Sequence, residues 1–352
     1  MSEGDSPPTI LIVDDSVVAR AMIARAVEAE GRFAVAGAVP HVAAALAFLR
    51  DRRVDVIVLD IEMPGVTGLV ALPELIIAGC GAKVLVVSSV AGDGAAATIE
   101  ALAQGAADTL VKPDIGDFAG KFSVALVEKL ARLLAIDPTP VEVVPKARTV
   151  APVAEPAAVA KGFDIIAIGA STGGIHALSQ VLRELPPAFP VPILVTQHLP
   201  TSFMPYFAAQ VAGIAGRPCD IAVDHLRIRP GRIVVAPGDA HIRVVRTGDG
   251  GAIRLAHESA RSGCMPSVDP MLSSVAEVYG ARALAIVLSG MGRDGSEGAQ
   301  AILARGGSVV VQDRESSVVW GMPGSIVAAG NASAVLSPSE IGQLIVNRRR
   351  PT

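Results

Sequence analysis

A chain of 352 residues is long enough for about two domains, each with its own core. It is 51% hydrophobic but only 3% aromatic, so its cores must be built from Ala, Val, Leu and Ile; this suits helices packed on a parallel sheet and argues against an all-β fold. The formal net charge of -4 conceals an asymmetry, because residues 1–120 carry 16 Asp and Glu against 8 Lys and Arg while the remainder carries 18 against 22; no basic run is dense enough to indicate nucleic acid.

A mean hydropathy of +0.50 raises the question of a membrane span, and the stretch from Leu185 to Gly216 has no charged side chain. Pro186, Pro187, Pro190, Pro192, Pro200 and Pro205 divide it into pieces too short to cross a bilayer as helix, so no membrane insertion is expected. The N-terminus has neither a basic region nor an apolar core, so no secretory signal is read there. Cys80, Cys219 and Cys264 are an odd number without metal-type spacing, which fits a reduced, cytoplasmic protein.

Along the chain, apolar runs at Thr9 to Val13, Val54 to Leu59 and Lys83 to Val87 alternate with helical patterns, ending in an amphipathic stretch at Phe118 to Leu134. This is the signature of βαβ units and a parallel sheet. From 136 to 161 the composition shifts to Pro, Val, Ala and Glu, which reads as a semi-extended linker. The pattern restarts with a strand at Asp164 to Ile168, a helix at Ile175 to Leu185 and a strand at Pro192 to Thr196. A hairpin is expected around Gly231 to Val245, then a helix near Pro270 to Tyr279, a strand at Ala283 to Leu288, a helix near Ser296 to Ala304 and a strand at Ser308 to Gln312. The second domain is therefore α/β with some antiparallel insertion.

Asp14, Asp15 and Asp60 all lie at the ends of apolar strands, so a parallel sheet would gather their carboxylates at one edge. There a hard divalent cation such as Mg2+, which takes oxygen ligands, can meet a phosphoryl group on Asp60, with Lys112 neutralising the charge and Ser88 completing the edge. An Asp-Asp pair alone is commonly a solvated turn or helix cap. The weight lies in the ordered set. These residues, in "VDDS" at 13–16, "LDIEMPGVTG" at 59–68, "VVSS" at 86–89 and "KP" at 112–113, resemble the receiver domain of two-component response regulators over residues 8–132. The resemblance implies a flavodoxin-like, doubly wound parallel five-stranded sheet. It makes Asp60 the phosphoryl acceptor, gives Mg2+ to Asp14, Asp15, Asp60 and the Glu62 backbone carbonyl, and makes Ser88 and Lys112 the phosphoryl-sensing pair. Receivers usually carry an aromatic switch residue three before the lysine, where this chain has Thr109.

In the second half, "GASTGG" at 169–174 ends a strand and opens a helix, so its small residues permit a sharp turn that presents the Ser171 hydroxyl near backbone N–H groups. A dinucleotide loop fails here because Ser171 occupies the second glycine position of G-x-G-x-x-G. A hydroxyl needs an imidazole to take its proton, and the imidazole a carboxylate to hold its tautomer. Of six histidines, His198 alone directly follows a buried-type strand neighbouring that of Ser171; His41 and His176 lie in helical patterns, and His225, His241 and His257 in loop or hairpin contexts. Asp294 lies in a further glycine-rich turn after an apolar strand, and all three turns fall where open α/β sheets place their sites.

With "QHLP" at 197–200, "SGMGRDG" at 289–295 and "WGMPG" at 320–324, residues 162–348 resemble the methylesterase domain of CheB, a mostly parallel α/β fold. The resemblance implies a phosphorylation-regulated serine hydrolase that demethylates glutamyl methyl esters, and often deamidates glutamines, on methyl-accepting chemoreceptors. It also implies a chemotaxis histidine kinase as phosphodonor, a receiver that covers the site until phosphorylated, and no cofactor for the hydrolysis. The triad maps onto Ser171, His198 and Asp294, with Thr172 and Met291 as backbone contributors near the oxyanion. Met265 stands where the family often has arginine. Cys264, with no histidine beside it in the chain, reads as a packing residue. A receiver driving a non-catalytic binding module on a hydrolase fold is the alternative, and keeping Ser171, His198 and Asp294 argues against it.

Overall fold

The apolar runs become strands because both of their faces are covered, and the alternating amphipathic stretches supply the covering helices. The computed structural model describes residues 6–88, 93–112, 120–134, 162–248 and 250–347, and the chain divides into two compact units, residues 1–140 and 141–352. The Pro-rich segment 136–161 lies outside the described residues, as do Ser89 and Pro113 of the motifs.

The first unit runs β1 (Thr9–Val13), α1 (Val17–Ala29), β2 (Ala34–Val39), α2 (Val42–Asp51), β3 (Val56–Asp60), α3 (Gly68–Gly79), β4 (Lys83–Ser88), α4 (Asp93–Gln104), β5 (Asp108–Val111) and α5 (Lys121–Leu133). The strands pair in the order β2-β1-β3-β4-β5, all parallel. Ile10, Leu11, Ile12, Ile57, Leu59 and Leu85 are fully buried in this sheet. Ser16 caps α1 by accepting the Ala19 amide, so the chain turns from strand to helix directly after Asp14 and Asp15. The order reverses between β1 and β3, and the crevice beyond their carboxyl ends is where such sheets bind ligands.

The second unit runs β6 (Ile165–Ala170), α6 (Gly174–Arg183), β7 (Ile193–Gln197), α7 (Met204–Ala215), β8 (Cys219–Ile221), β9 (Ile233–Val235), β10 (His241–Thr247), β11 (Gly250–Ala256), α8 (Val268–Tyr279), β12 (Ala283–Val287), α9 (Ser296–Ala304), β13 (Ser308–Gln312), α10 (Gly321–Ala328), β14 (Ala334–Leu336) and α11 (Pro338–Asn347). Among the described residues seven strands form a parallel sheet in the order β14-β13-β12-β6-β7-β9-β8. The antiparallel insertion is the separate ribbon β10-β11, with His241 opposite Ala256. The hairpin expected at Gly231 to Val245 is thus displaced: its first half is β9, a parallel partner of β7, because Pro237-Gly238 ends a buried sheet strand and not an arm of the ribbon. The uncharged stretch from Leu185 to Gly216 supplies β7 and α7, with Pro205 in the first turn of the helix where its missing N–H costs nothing. Among the described residues no helix is long and apolar enough to cross a membrane.

Candidate active site

β12, β6 and β7 are consecutive in the sheet, and each ends at one of the three turns. Ala170 on β6 is in register with Gln197 on β7, so the residues that follow them, Ser171 and His198, emerge side by side at a strand spacing of about 4.8 Å. The His198 amide donates to Ala170 O at 3.1 Å and the Gln197 side-chain amide to Ser171 O at 3.0 Å, which ties the two turns together. Two glycines allow this crowding. Gly173 has φ +76°, and a Cβ there would meet Val318 at 2.5 Å; at Gly290 a Cβ would stand 2.8 Å from that of Ser171. Met291, the next residue, is 37% exposed, and the Thr172 carbonyl accepts the Ser289 hydroxyl at 2.8 Å.

Asp294 reaches His198 from the turn after β12, with Oδ2 2.8 Å from His198 Nε2. It also accepts the Ser267 hydroxyl at 2.6 Å, the Val268 amide at 2.8 Å and the Asp269 amide at 3.3 Å, so the carboxylate sits on the first turn of α8. Burial works against its charge, but His198, Ser267 and the Val268 amide outweigh burial and hold the carboxyl at about 2. For His198, burial pushes the imidazole down, while Asp294 and Cys264 more than offset this and raise it to about 9. With Nε2 given to the carboxylate, Nδ1 is the nitrogen left for proton transfer. Among the described residues no hydrogen bond joins Ser171 to His198; their proximity comes from strand register, and such bonds commonly tighten only with substrate in place.

Two features of this edge were not read from the sequence. Cys264 is not a remote packing residue: its Sγ, a ring nitrogen of His198 and a carboxylate oxygen of Asp294 all lie within 4.8 Å of one another. The histidine it lacks in the chain is supplied by the fold. His241, read as a loop or hairpin residue, opens β10 and is fully buried. Its Nδ1 accepts the Ser267 amide at 2.8 Å and its Nε2 donates to Glu258 O at 2.8 Å, which fixes the neutral tautomer and seats the serine that holds Asp294. Asp269, the other carboxylate nearby, accepts the Gly298 amide at 2.8 Å and is pushed up to about 6 by burial and by the Asp294 charge.

In the first unit, Asp60 ends β3 almost fully buried, with Oδ2 2.6 Å from Lys112 Nζ and Oδ1 accepting the Glu62 amide at 2.9 Å. Carboxylate oxygens of Asp14, Asp15 and Asp60 lie within 4.8 Å of one another. Asp14 Oδ1 accepts the Ser16 amide at 2.8 Å, whereas Oδ2 is buried without a partner, an orphaned carboxylate oxygen of the kind a hard cation satisfies. Burial, with the neighbouring Asp60 and Asp15 charges, raises the Asp14 carboxyl against the Ser16 amide and Lys112. The Ser88 hydroxyl is bonded to that of Thr98 on α4, which in turn donates to Gly94 O at 2.7 Å. Thr109 is buried on β5, and its hydroxyl has no partner among the described residues.

The CheB methylesterase family model matches residues 166–345 and the response regulator receiver domain model residues 10–119. A protein-glutamate methylesterase/protein-glutamine glutaminase 1 of Paramagnetospirillum magneticum is 39% identical over 98% of each chain. The corresponding enzyme 2 of Caulobacter vibrioides is 38% identical over 97% of this chain and 99% of its own. The crystal structure of the Thermotoga maritima CheB methylesterase catalytic domain aligns with a TM-score of 0.51 at 33% identity, covering 53% of this chain and 98% of that one. Aligned from end to end with these relatives, the chain belongs to the CheB methylesterase family, in the form that carries an N-terminal response regulator receiver domain.

Proposed function

We propose that this chain is a chemotaxis methylesterase that hydrolyses glutamyl methyl esters on methyl-accepting chemoreceptors, releasing methanol, and that it deamidates receptor glutamines at the same site. Ser171 is the nucleophile, His198 the base and Asp294 the carboxylate that orients and stabilises the imidazolium. Ser171 Oγ attacks the ester carbonyl as its proton passes to His198; methanol leaves with that proton, and water then hydrolyses the acyl-enzyme through the same base. The Thr172 and Met291 backbone N–H groups receive the oxyanion. The observation that carries this reading is the four-donor seat of Asp294 beneath His198, beside a serine placed by the Ala170–Gln197 register. A module that only binds has no use for a carboxylate so constrained under an imidazole.

The domains assigned are a receiver over 8–132, a linker over 136–161 and the catalytic domain over 162–348. A chemotaxis histidine kinase phosphorylates Asp60, and the receiver restrains the hydrolase until it does. Mg2+ held by Asp14, Asp15, Asp60 and the Glu62 carbonyl supplies charge neutralisation for the phosphoryl oxygens. Lys112 pairs with the transferred group and Ser88 turns to it. The enzyme works in the cytoplasm, where kinase and receptor tails meet. Methanol release from methylated receptor membranes, with and without a small phosphodonor, tests the whole: release should require Ser171 and rise with the phosphodonor, and absence of release under both conditions would sink the proposal.

A further inference from the structure

The thiol beside His198 has no part in the hydrolysis proposed above. Cys264 Sγ, a His198 ring nitrogen and an Asp294 carboxylate oxygen, mutually within 4.8 Å, form one sulfur, one nitrogen and one oxygen donor around a common point. That donor set belongs to a borderline-soft cation. Zn2+ takes thiolate at about 2.3 Å and imidazole or carboxylate at about 2.0–2.2 Å, so tetrahedral ligand atoms stand roughly 3.3–3.7 Å apart. The three donors lie within 4.8 Å of one another, which admits this spacing, and the 2.8 Å separation of His198 Nε2 and Asp294 Oδ2 needs to widen by only about half an ångström as a metal replaces the proton between them. Mg2+ does not fit here, since it rejects thiolate.

The surroundings match a metal-ligand environment. Asp294 Oδ1 is already held by the Ser267 hydroxyl and the Asp269 amide, and these contacts would keep a ligating carboxylate aimed in the same way. Cys264 and His198 are both partly exposed, so an ion has a path from solvent. Three protein ligands leave a fourth position for water.

We propose that Cys264, His198 and Asp294 form a site for a zinc-class divalent cation, and that occupancy at Nε2 leaves the ring hydrogen on Nδ1, so that His198 cannot take the Ser171 proton and hydrolysis is reversibly inhibited. Starting from the thiol and the imidazolium, binding releases two protons to solvent, one from Sγ and one from between His198 Nε2 and Asp294, while Nδ1 keeps its own; no electrons move. The binding half needs only the three side chains, whereas the inhibitory half rests on the esterase reading.

Co2+ serves as the optical probe on the full-length protein after chelation. One equivalent should give a near-ultraviolet thiolate-to-metal band that Zn2+ abolishes, that Cys264→Ser lacks, and that a Cys80→Ala/Cys219→Ala variant keeps. The receiver carboxylates cannot produce this band, having no sulfur. Each protein's turnover of a small ester is then compared with and without Zn2+. The wild type should fall at least tenfold and recover on chelation, and Cys264→Ser should need at least tenfold more Zn2+. No band in the wild type, or an undiminished band in Cys264→Ser, overturns the site whether or not the chain is an esterase. A Cys264-dependent band in an active enzyme that Zn2+ does not slow overturns the inhibition. A protein that forms the band but hydrolyses no ester upholds the metal site and refutes the esterase reading instead.

Discussion

His241 accepts the backbone proton of Ser267 at 2.8 Å, and Ser267 gives its hydroxyl to Asp294 at 2.6 Å, so a fully buried histidine on the β10-β11 ribbon supports the orienting carboxylate from behind. His241→Phe leaves the buried Ser267 amide without its acceptor. It should destabilise the fold by about 1–3 kcal/mol and lower kcat more than it raises KM. His241→Asn, which restores an acceptor where Nδ1 stands, should recover part of kcat. Steady-state kinetics with thermal unfolding check this; equal kcat in all three proteins would remove His241 from the positioning chain.

Ser171→Ala takes one hydroxyl from a turn held by backbone bonds, so the fold should be kept while esterase activity falls by about four orders of magnitude or more. Asp294→Asn should cost less, about 10^3–10^4-fold in kcat, since an orienting group can be lost at lower cost than groups that exchange protons. Methanol release by the folded variants is the measurement. If Asp294→Asn were fully active, Asp269, whose amide already touches the same carboxylate, would be the next variant to make.

The pH profile follows from the direction of the His198 shift. A base acts in its neutral form, and the imidazole is raised above its ordinary value to about 9. Therefore kcat/KM should climb with pH beyond the ordinary histidine range and level off only on the alkaline side. Asp294, held at about 2, stays charged across this range and adds no second limb. Cys264→Ala removes one of the groups that hold the proton, so the acid limb should move to lower pH; an unmoved limb would show that Cys264 does not act on His198.

In the receiver, a small phosphodonor with Mg2+ should label the protein, and Asp60→Asn or chelation should reduce labelling to background. Thr98→Val should leave the label intact, because the Thr98 hydroxyl bonds to Ser88 and to the Gly94 carbonyl and not to the carboxylates or Lys112. By freeing the Ser88 hydroxyl from its α4 partner, it should raise hydrolase activity before any phosphodonor is added. Labelling with radioactive phosphodonor beside an ester assay separates the two effects.

Both sheets were legible because Ile10 to Val13 and Ile165 to Ile168 are unbroken apolar runs of the kind parallel strands require, and the site turns were legible because glycine and acid follow those runs. The three-residue strands β8 and β14 leave too little pattern to detect. His241 was missed for a different reason: it is polar in a position where nothing nearby in the chain signals complete burial, and its partners, Ser267 and Glu258, come from a distant segment. Cys264 reads from the sequence as a packing residue for the same reason. Metal-type spacing is a local signal, and the Cys264, His198 and Asp294 cluster exists only after three separated turns have been folded together.

β12, β6 and β7 lie at the centre of the catalytic unit's parallel sheet. These are the three middle strands of seven, flanked by β13 and β14 on one side and by β9 and β8 on the other. Fraying begins at sheet edges, so partial openings that release β14 or β8 should leave the serine, histidine and carboxylate turns in place. Amide protons of β6 should exchange with deuterium as slowly as the whole catalytic unit opens, and heat should abolish hydrolysis together with cooperative unfolding, not ahead of it.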